Sequence, residues 1–413
     1  MSKLLYQVGV NFYSLLLKGI APFHAKAAKM VAGRLNIFKQ LEASFKENQD
    51  PVVWFHCASL GEFEQGRPLL EKFAATYPGY KILLTFFSPS GYEIRKNYPG
   101  AHYIFYLPLD NPANAKRFIN LVKPSLAIFV KYEFWFNYLN QLHQRNIPVI
   151  SVSAIFRPEQ IFFKPYGGFY RNTLNLFTHI FTQNQLSADL LQTAGISQVT
   201  VAGDTRFDRV LQTAAAVKAI SLVEHFKADK PVFVIGSSWP HDIEVLLPFI
   251  KKYAGAIKFI IAPHEIHEQE LTQLLSHLEG KAIRFSKALT PDIANYPVLL
   301  IDNIGMLSSL YSHGTYAYIG GAFGKGLHNT LEAATFGLPL YFGPSYQKFQ
   351  EAIDLVQLGV AFPIQSTTEL EDVFTPIYQN QEKRKAISEK AKTYVQNQAG
   401  ATDIILHHVK TLI

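Results

Sequence analysis

From Pro51 onward, short apolar runs alternate with stretches of helical periodicity. The first set is PVVWFHCA (51–58), YKILLTFFS (80–88), HYIFYLPL (102–109), PSLAIFVKY (124–132), IPVISVSA (147–154), FTHIFTQN (177–184) and QVTVAG (198–203). Continuous apolar runs separated by helix-length segments predict parallel strands covered by helices. After Gly203 to Val210 comes an alanine-rich, helical-looking linker. The pattern then restarts at Pro231 with PVFVIGSS, AIKFIIAPH, PVLLID, TYAYIGG and PLYFG. The expected class is α/β, with two doubly wound, Rossmann-like domains over 46–215 and 216–413 that join near residue 220. The helices after Thr367 close the chain, the last a candidate to pack back on the first domain.

The amino end breaks this pattern. Leu4 to Leu17 carries no charge, and Leu5, Val8, Phe12, Leu15 and Leu16 share one helical face. A bilayer-spanning helix takes about 20 apolar residues, and this shorter run is interrupted by Gln7, Asn11 and Ser14. The net charge is +7, and six basic residues (Lys3, Lys18, Lys26, Lys29, Arg34 and Lys39) precede the first acid, Glu42. Segment 1–45 therefore reads as a basic, apolar, membrane-associated segment whose helix lies on an anionic leaflet. A core-docked helix is the alternative. A cleaved signal peptide fits less well, because basic residues continue past any cleavage site.

Composition narrows the chemistry. At 48% hydrophobic and 17% charged residues the chain is globular, and its single cysteine, Cys57, excludes an internal disulfide framework. His264 and His267 lie three apart without a second matched pair, so no metal site is expected. The basic excess sits at the amino end and no binding motif interleaves it with aromatics, so no nucleic-acid partner is expected.

In doubly wound sheets, ligands bind beyond the carboxyl ends of the strands. That rule gathers Ser59, Gly61 and Glu62, Ser88 and Ser90, and Lys131 with Glu133 from the first domain. From the second it gathers Ser237 and Ser238, Pro263 and His264, Gly305, Met306 and Leu307, and finally Lys325, Gly326, His328, Asn329 and Glu332. Together they are expected to line a cleft between the domains. Glu62 opens a helix after a buried-looking strand and is a candidate general base; a carboxylate favoured by the helix dipole is the plainer reading. Glu133 is a second candidate acid, or an ion-pair partner of Lys131.

The stretch Thr315 to Pro344, TYAYIGGAFGKGLHNTLEAATFGLPLYFGP, reads as strand, glycine turn, helix and strand. The helix is expected to start near Leu327 to Asn329 and stop at Gly337, its amino end cradling a phosphate beside Lys325. Glu332 is placed to accept hydrogen bonds from a ribose diol. Neither the Walker spacing nor the dinucleotide fingerprint fits. An ordinary glycine-rich connection with a hydrated lysine fits the spacing equally well.

Taken together, HCASLGEF (56–63), KYEFW (131–135), VSA (152–154), GDTRFD (203–208), GSSW (236–239), APHE (262–265) and GGAFGKGLHNTLEAATFGLPLYFGP (320–344) resemble the 3-deoxy-D-manno-octulosonic acid (Kdo) transferases of lipopolysaccharide biosynthesis. The resemblance runs over most of the chain and implies the glycosyltransferase B fold. It also implies transfer of Kdo from CMP-Kdo to a hydroxyl of the lipid A precursor (lipid IVA) at the cytoplasmic leaflet of the inner membrane, without cofactor or metal. Glu62 matches the family's proposed base, and Glu133 matches a second acid on the acceptor side with Ser59, Gly61, Ser88 and Lys131. Ribose is expected near Asn329 and Glu332. Phosphate is expected near Ser237, Ser238, Lys325 and the helix start with Gly326 and His328, and cytosine near Pro263, His264 and Gly305 to Leu307.

The chain departs from the family pattern in four places. Leu327 separates Gly326 from His328 where the family has adjacent Gly and His; Ala262 to Glu265 replaces a Pro-Arg-His-Pro type motif; Lys131 and Tyr132 replace a Glu-Thr pair; and GSSWPHDIE (236–244) replaces a Gly-Ser-Thr-His start. Two other readings remain: a glycosyltransferase B-fold transferase or epimerase using a UDP-sugar, and a non-catalytic, membrane-docked nucleotide-sugar-binding protein.

Overall fold

The computed structural model describes residues 2–288 and 292–413 and divides into two compact α/β units. The first runs as far as Arg209 and takes back Gln398–Ile413; the second is Val210–Asn397. The division falls inside helix Thr205–Ala215.

Seven strands form the first sheet: β1 (Val52–Cys57), β2 (Lys81–Phe86), β3 (Tyr103–Tyr106), β4 (Leu126–Val130), β5 (Val149–Ala154), β6 (His179–Thr182) and β7 (Val199–Val201). All pairings are parallel, in the order β3-β2-β1-β4-β5-β6-β7. Strands β1, β4 and β5 are buried along their whole length, as their unbroken apolar runs require. One face packs Trp54, Phe118, Phe129 and Tyr138 under helix Ile37–Phe45, which contributes Ile37, Leu41 and Phe45. The end of the amino-terminal segment is thus core of the first unit. On the other face Phe55, Phe63 and Phe73 meet Ala401, Ile405 and Val409 of the last helix, Ala401–Val409. Asp208 fixes that helix, accepting the N–H groups of Gly400 at 2.6 Å and Thr402 at 2.7 Å and the Thr402 hydroxyl at 2.6 Å.

Helix Ser2–Ile20 lies against this unit by its mixed face. The Tyr6 hydroxyl donates to Asp110 at 2.5 Å and Tyr13 stacks on Phe87. Leu4, Leu5, Val8, Phe12, Leu15 and Leu16 point outward, Phe12 65% and Leu15 68% exposed, and Phe23 beyond them is 90% exposed. Arg34 does not belong to this surface. Its guanidinium donates to the carbonyls of Met30, Phe87 and Leu107 and lies over the rings of Phe87 and Tyr106.

The second sheet comprises β8 (Val232–Ser238), β9 (Lys258–Pro263), β10 (Ala282–Arg284), β11 (Val298–Leu300), β12 (Tyr316–Ile319), β13 (Leu340–Phe342) and β14 (Ala361–Pro363), in the order β10-β11-β9-β8-β12-β13-β14, again all parallel. The edge strands β10 and β14 are additions to the sequence reading. Each has three residues and is mostly half-buried, too short to leave an apolar run.

Candidate active site

Strand order reverses between β1 and β4 in the first unit and between β8 and β12 in the second. Loops leaving neighbouring strands in opposite directions open a crevice at each of these points.

In the first unit, β1 leads into helix Leu60–Thr76, with Ser59 at its N-cap and Glu62 in its first turn. The Ser59 hydroxyl donates to the half-buried Glu62 carboxylate. Gly61 is exposed, and a Cβ there would meet only Ser59 Oγ, at 3.8 Å. Next door, β4 is followed by Lys131 in a left-handed conformation (φ 63°), its N–H held by the Val152 carbonyl at 2.9 Å. Such a backbone costs about 1–3 kcal/mol and persists where its surroundings fix it. The turn delivers Glu133, whose carboxylate lies 3.2 Å from His56 Nε2 and accepts from Trp135 Nε1 at 2.5 Å. Burial first, then the carboxylates of Glu62 and Glu133, push the Cys57 thiol up. Both acids therefore border the same buried residue. Ser88 stands apart as the N-cap of helix Pro89–Arg95, accepting the Ser90 N–H at 3.3 Å.

The second unit's crevice is built around a bulge. Ser237 has φ 52° where the β8–β9 register shifts. Its carbonyl lies so close to Gly320 that a Cβ there would sit 2.1 Å away, which accounts for that glycine. Gly321 follows at φ 94°, and its carbonyl accepts the N–H groups of Gly324, Lys325 and Gly326 at 2.9–3.2 Å. This closed turn corrects the sequence expectation. The helix begins at Leu331, not near Leu327, and ends at Thr335, and the N–H groups of Gly324, Lys325 and Gly326 just before it are satisfied within the turn. Side chains, not a long helix's amino end, make this site.

Those side chains form a stack. Trp239 lies 4.6 Å from the His264 ring, and His264 lies 4.2 Å from His328. Trp239 Nε1 donates to His328 Nε2 at 3.1 Å, and Lys325 Nζ sits 5.2 Å from the Trp239 ring centroid. Burial, with His264 adding to it, holds the His328 imidazole down at about 4. The unfolded chain would take up this proton near 6.5, so between pH 6.5 and 4 unfolding binds more protons and stability falls as pH drops. His328→Asn is expected to shrink that loss, and a Tm series over pH 4–7 checks it at roughly 2–4 °C per kcal/mol.

Glu332 accepts from the Ser308 hydroxyl and from Asn329 Nδ2 at 3.1 Å. Ser308 belongs to helix Leu307–Tyr311, which Met306 caps after a turn at Gly305 (φ 91°). Gly326 is half-buried beside the exposed Lys325. The Ser238 side chain is buried without a hydrogen-bond partner and, with Pro263, lines a cavity of about 160 Å³ that also touches Ile243, Leu247, Leu271 and Leu274.

Sequence reasoning missed several residues. Asp242, 1% exposed, accepts the N–H groups of Trp239 at 2.8 Å and Gly321 at 3.0 Å and the Tyr318 hydroxyl at 2.7 Å, so one carboxylate ties β8, β12 and the glycine turn together. His56, Trp135, Trp239 and Ser308 are the others. A buried-looking strand carrying a histidine, and an acid three residues after Trp239, were signals available for two of them.

A family model described as 3-deoxy-D-manno-octulosonic-acid transferase (kdotransferase) matches residues 31–209. The 3-deoxy-D-manno-octulosonic acid transferase of Aquifex aeolicus is 30% identical over 331 residues, spanning 78% of this chain and 85% of that protein. The Haemophilus influenzae protein of the same name is 27% identical over 371 residues, spanning 87% and 86%. Among solved structures, the UDP-GlcNAc 2-epimerase of Neisseria meningitidis bound to UDP-GlcNAc superposes with a TM-score of 0.62 over 87% of this chain and all of that one. At 16% identity that likeness concerns the fold, two α/β units of glycosyltransferase B type.

Proposed function

The chain belongs to the Kdo transferases, whose family activity implies a CMP-Kdo donor and a lipid A acceptor, and from that premise we propose that Glu62 is the base of the transfer and that the amino-terminal helix holds the enzyme on the cytoplasmic leaflet of the inner membrane. The acceptor is taken to be the lipid A precursor lipid IVA. The observation that carries the base assignment is Glu62 itself: half-buried in the first turn of helix Leu60–Thr76, at the strand-order reversal, with Ser59 as its donor.

The acceptor hydroxyl attacks the anomeric carbon of Kdo while the bond to the CMP phosphate breaks. The bonding pair leaves with CMP, and Glu62 takes the hydroxyl proton. Negative charge growing on the phosphate is met by fixed donors, for which Lys325 and the His328 ring stand ready, and Glu332 with Asn329 suits the ribose diol. A transfer assay with CMP-Kdo, formed in place, and lipid IVA tests this reading. Product is expected, with CMP and not UDP as competitive inhibitor; absence of product from folded enzyme and intact donor would sink it.

The membrane reading rests on the orientation of helix Ser2–Ile20. Its outward face is the apolar one, bordered by Lys3 and Lys18. Among the described residues no helix is long and apolar enough to cross a bilayer. Burying each large side chain contributes about 1.5–3 kcal/mol. The double variant Leu5→Gln, Phe12→Gln should therefore lower partitioning onto phosphatidylglycerol vesicles by more than about tenfold, measured by flotation, and equal flotation would refute the orientation.

A further inference from the structure

We propose that Trp239 is a positioning residue for His328: its indole N–H fixes the imidazole as the Nδ1–H tautomer, so that His328 meets the phosphate of the departing nucleotide as a neutral hydrogen-bond donor and not as an imidazolium. This rests on the donor phosphate lying beside the glycine turn, and it names what the His328 ring does there.

Several contacts hold the His328 ring. Its backbone N–H donates to the Gly320 carbonyl at 3.2 Å. Its Cδ2 lies 3.0 Å from where a Gly321 Cβ would stand, so the glycine turn closes that edge of the ring. One face is covered by His264 at 4.2 Å, and His264 is itself pinned by its backbone N–H to the Ser238 carbonyl at 2.9 Å. Trp239 Nε1 donates to His328 Nε2 at 3.1 Å. Cδ2 and Nε2 are bonded neighbours, so the edge carrying Nδ1 turns away from both the glycine turn and the indole.

An indole nitrogen can donate but cannot accept. Nε2 must therefore supply the lone pair, and a neutral imidazole with Nε2 bare carries its proton on Nδ1. Nδ1 itself has no hydrogen-bond partner among the described residues, so its N–H is left for a ligand. Of the ionisable groups about the stack, His264 lies face to face at an interplanar angle of 27°, Lys325 sits over the Trp239 ring, and Asp242 is taken up by the N–H groups of Trp239 and Gly321 and by the Tyr318 hydroxyl; none bonds either nitrogen. A second proton, on Nε2, would set two donors against each other, so the indole opposes the imidazolium, as burial does. Negative charge growing on the phosphate thus meets a donor that is already oriented. As the bond from the anomeric carbon breaks, its electron pair goes to the phosphate oxygen and the Nδ1 proton stays on nitrogen.

The tautomer can be read without substrate. Protein labelled with ¹⁵N-histidine is examined by NMR at neutral pH, with His328→Asn used to assign the signals. A protonated Nδ1 and a bare Nε2 are expected, and a protonated Nε2 would overturn the proposal. In Trp239→Phe, which keeps a stacked ring and loses the donor, the Nε2–H tautomer should appear; an unchanged Nδ1–H ring would overturn the part given to Trp239. CMP should move the Nδ1 signal and cytidine should not. A signal blind to CMP and UDP alike, or moved as much by cytidine, would overturn the phosphate contact. A shift with UDP and not with CMP would retire the CMP-Kdo reading and leave the role of His328 standing. Kinetics separate positioning from support of the fold. Trp239→Phe should lower kcat by about tenfold, short of the roughly 10²–10³-fold that removing such a donor outright costs, with KM for CMP-Kdo little changed. His328→Asn places an amide N–H where Nδ1 stood, free of any tautomer, so Trp239→Phe should cost much less in that background. An equal loss in both backgrounds would make Trp239 a structural residue only.

Discussion

Glu62→Gln is expected to lower kcat for Kdo transfer by roughly 10²–10⁴-fold, the usual worth of a positioned general base, while CMP binds as tightly as before. The amide keeps the size of the side chain and can still accept from the Ser59 hydroxyl. It cannot take a proton from the incoming hydroxyl. Because the groups proposed to hold the nucleotide all belong to the second unit, CMP affinity measured by calorimetry should be unaltered, and a parallel loss of CMP binding would show that Glu62 acts on the donor instead. Ser59→Ala provides an internal comparison: it removes a donor to the carboxylate but leaves the base, so its effect should be much smaller.

The second large effect is expected at Asp242. Its carboxylate is buried and satisfies two backbone N–H groups and the Tyr318 hydroxyl. Asp242→Ala leaves all three donors without this acceptor, and each buried unsatisfied group costs about 1–3 kcal/mol. The second unit should lose several kcal/mol of stability, and CMP binding should disappear as the glycine turn and the Trp239 stack lose their common anchor. Asp242→Asn should be milder, since the amide oxygen can still accept. A thermal denaturation series paired with CMP titration checks this, and a wild-type Tm with wild-type affinity for Asp242→Ala would refute the anchoring role.

Much of this molecule was legible in its sequence. Twelve of the strands announce themselves as apolar runs, because strands covered by helices on both faces need no polar alternation. Glu62 and Glu133 could be placed at strand ends for the same reason. What remained hidden was what depends on closure of the chain in three dimensions. The edge strands β10 and β14 are too short to carry a pattern. The helix after the glycine turn could be anticipated, but its start could not, since the internal hydrogen bonds of Gly321 decide it. Asp242 reads as an ordinary first-turn acid until Tyr318 and Gly321 arrive from far along the sequence. His56 reads as an apolar-strand residue until Thr85 and Glu133 close around it.

The clasp of Asp208 on the last helix has a consequence for synthesis on the ribosome. Ala401, Ile405 and Val409 complete the layer over Phe63 and Phe73, so the first unit to be translated lacks part of its interior until those residues have been made. The 188 residues of Val210–Asn397 must be made in between, which takes roughly 10–40 s at about 5–20 residues per second. For that interval the nascent amino-terminal half displays an unfilled apolar layer, a binding surface for chaperones, and the usual order in which the first domain made is the first to fold is suspended.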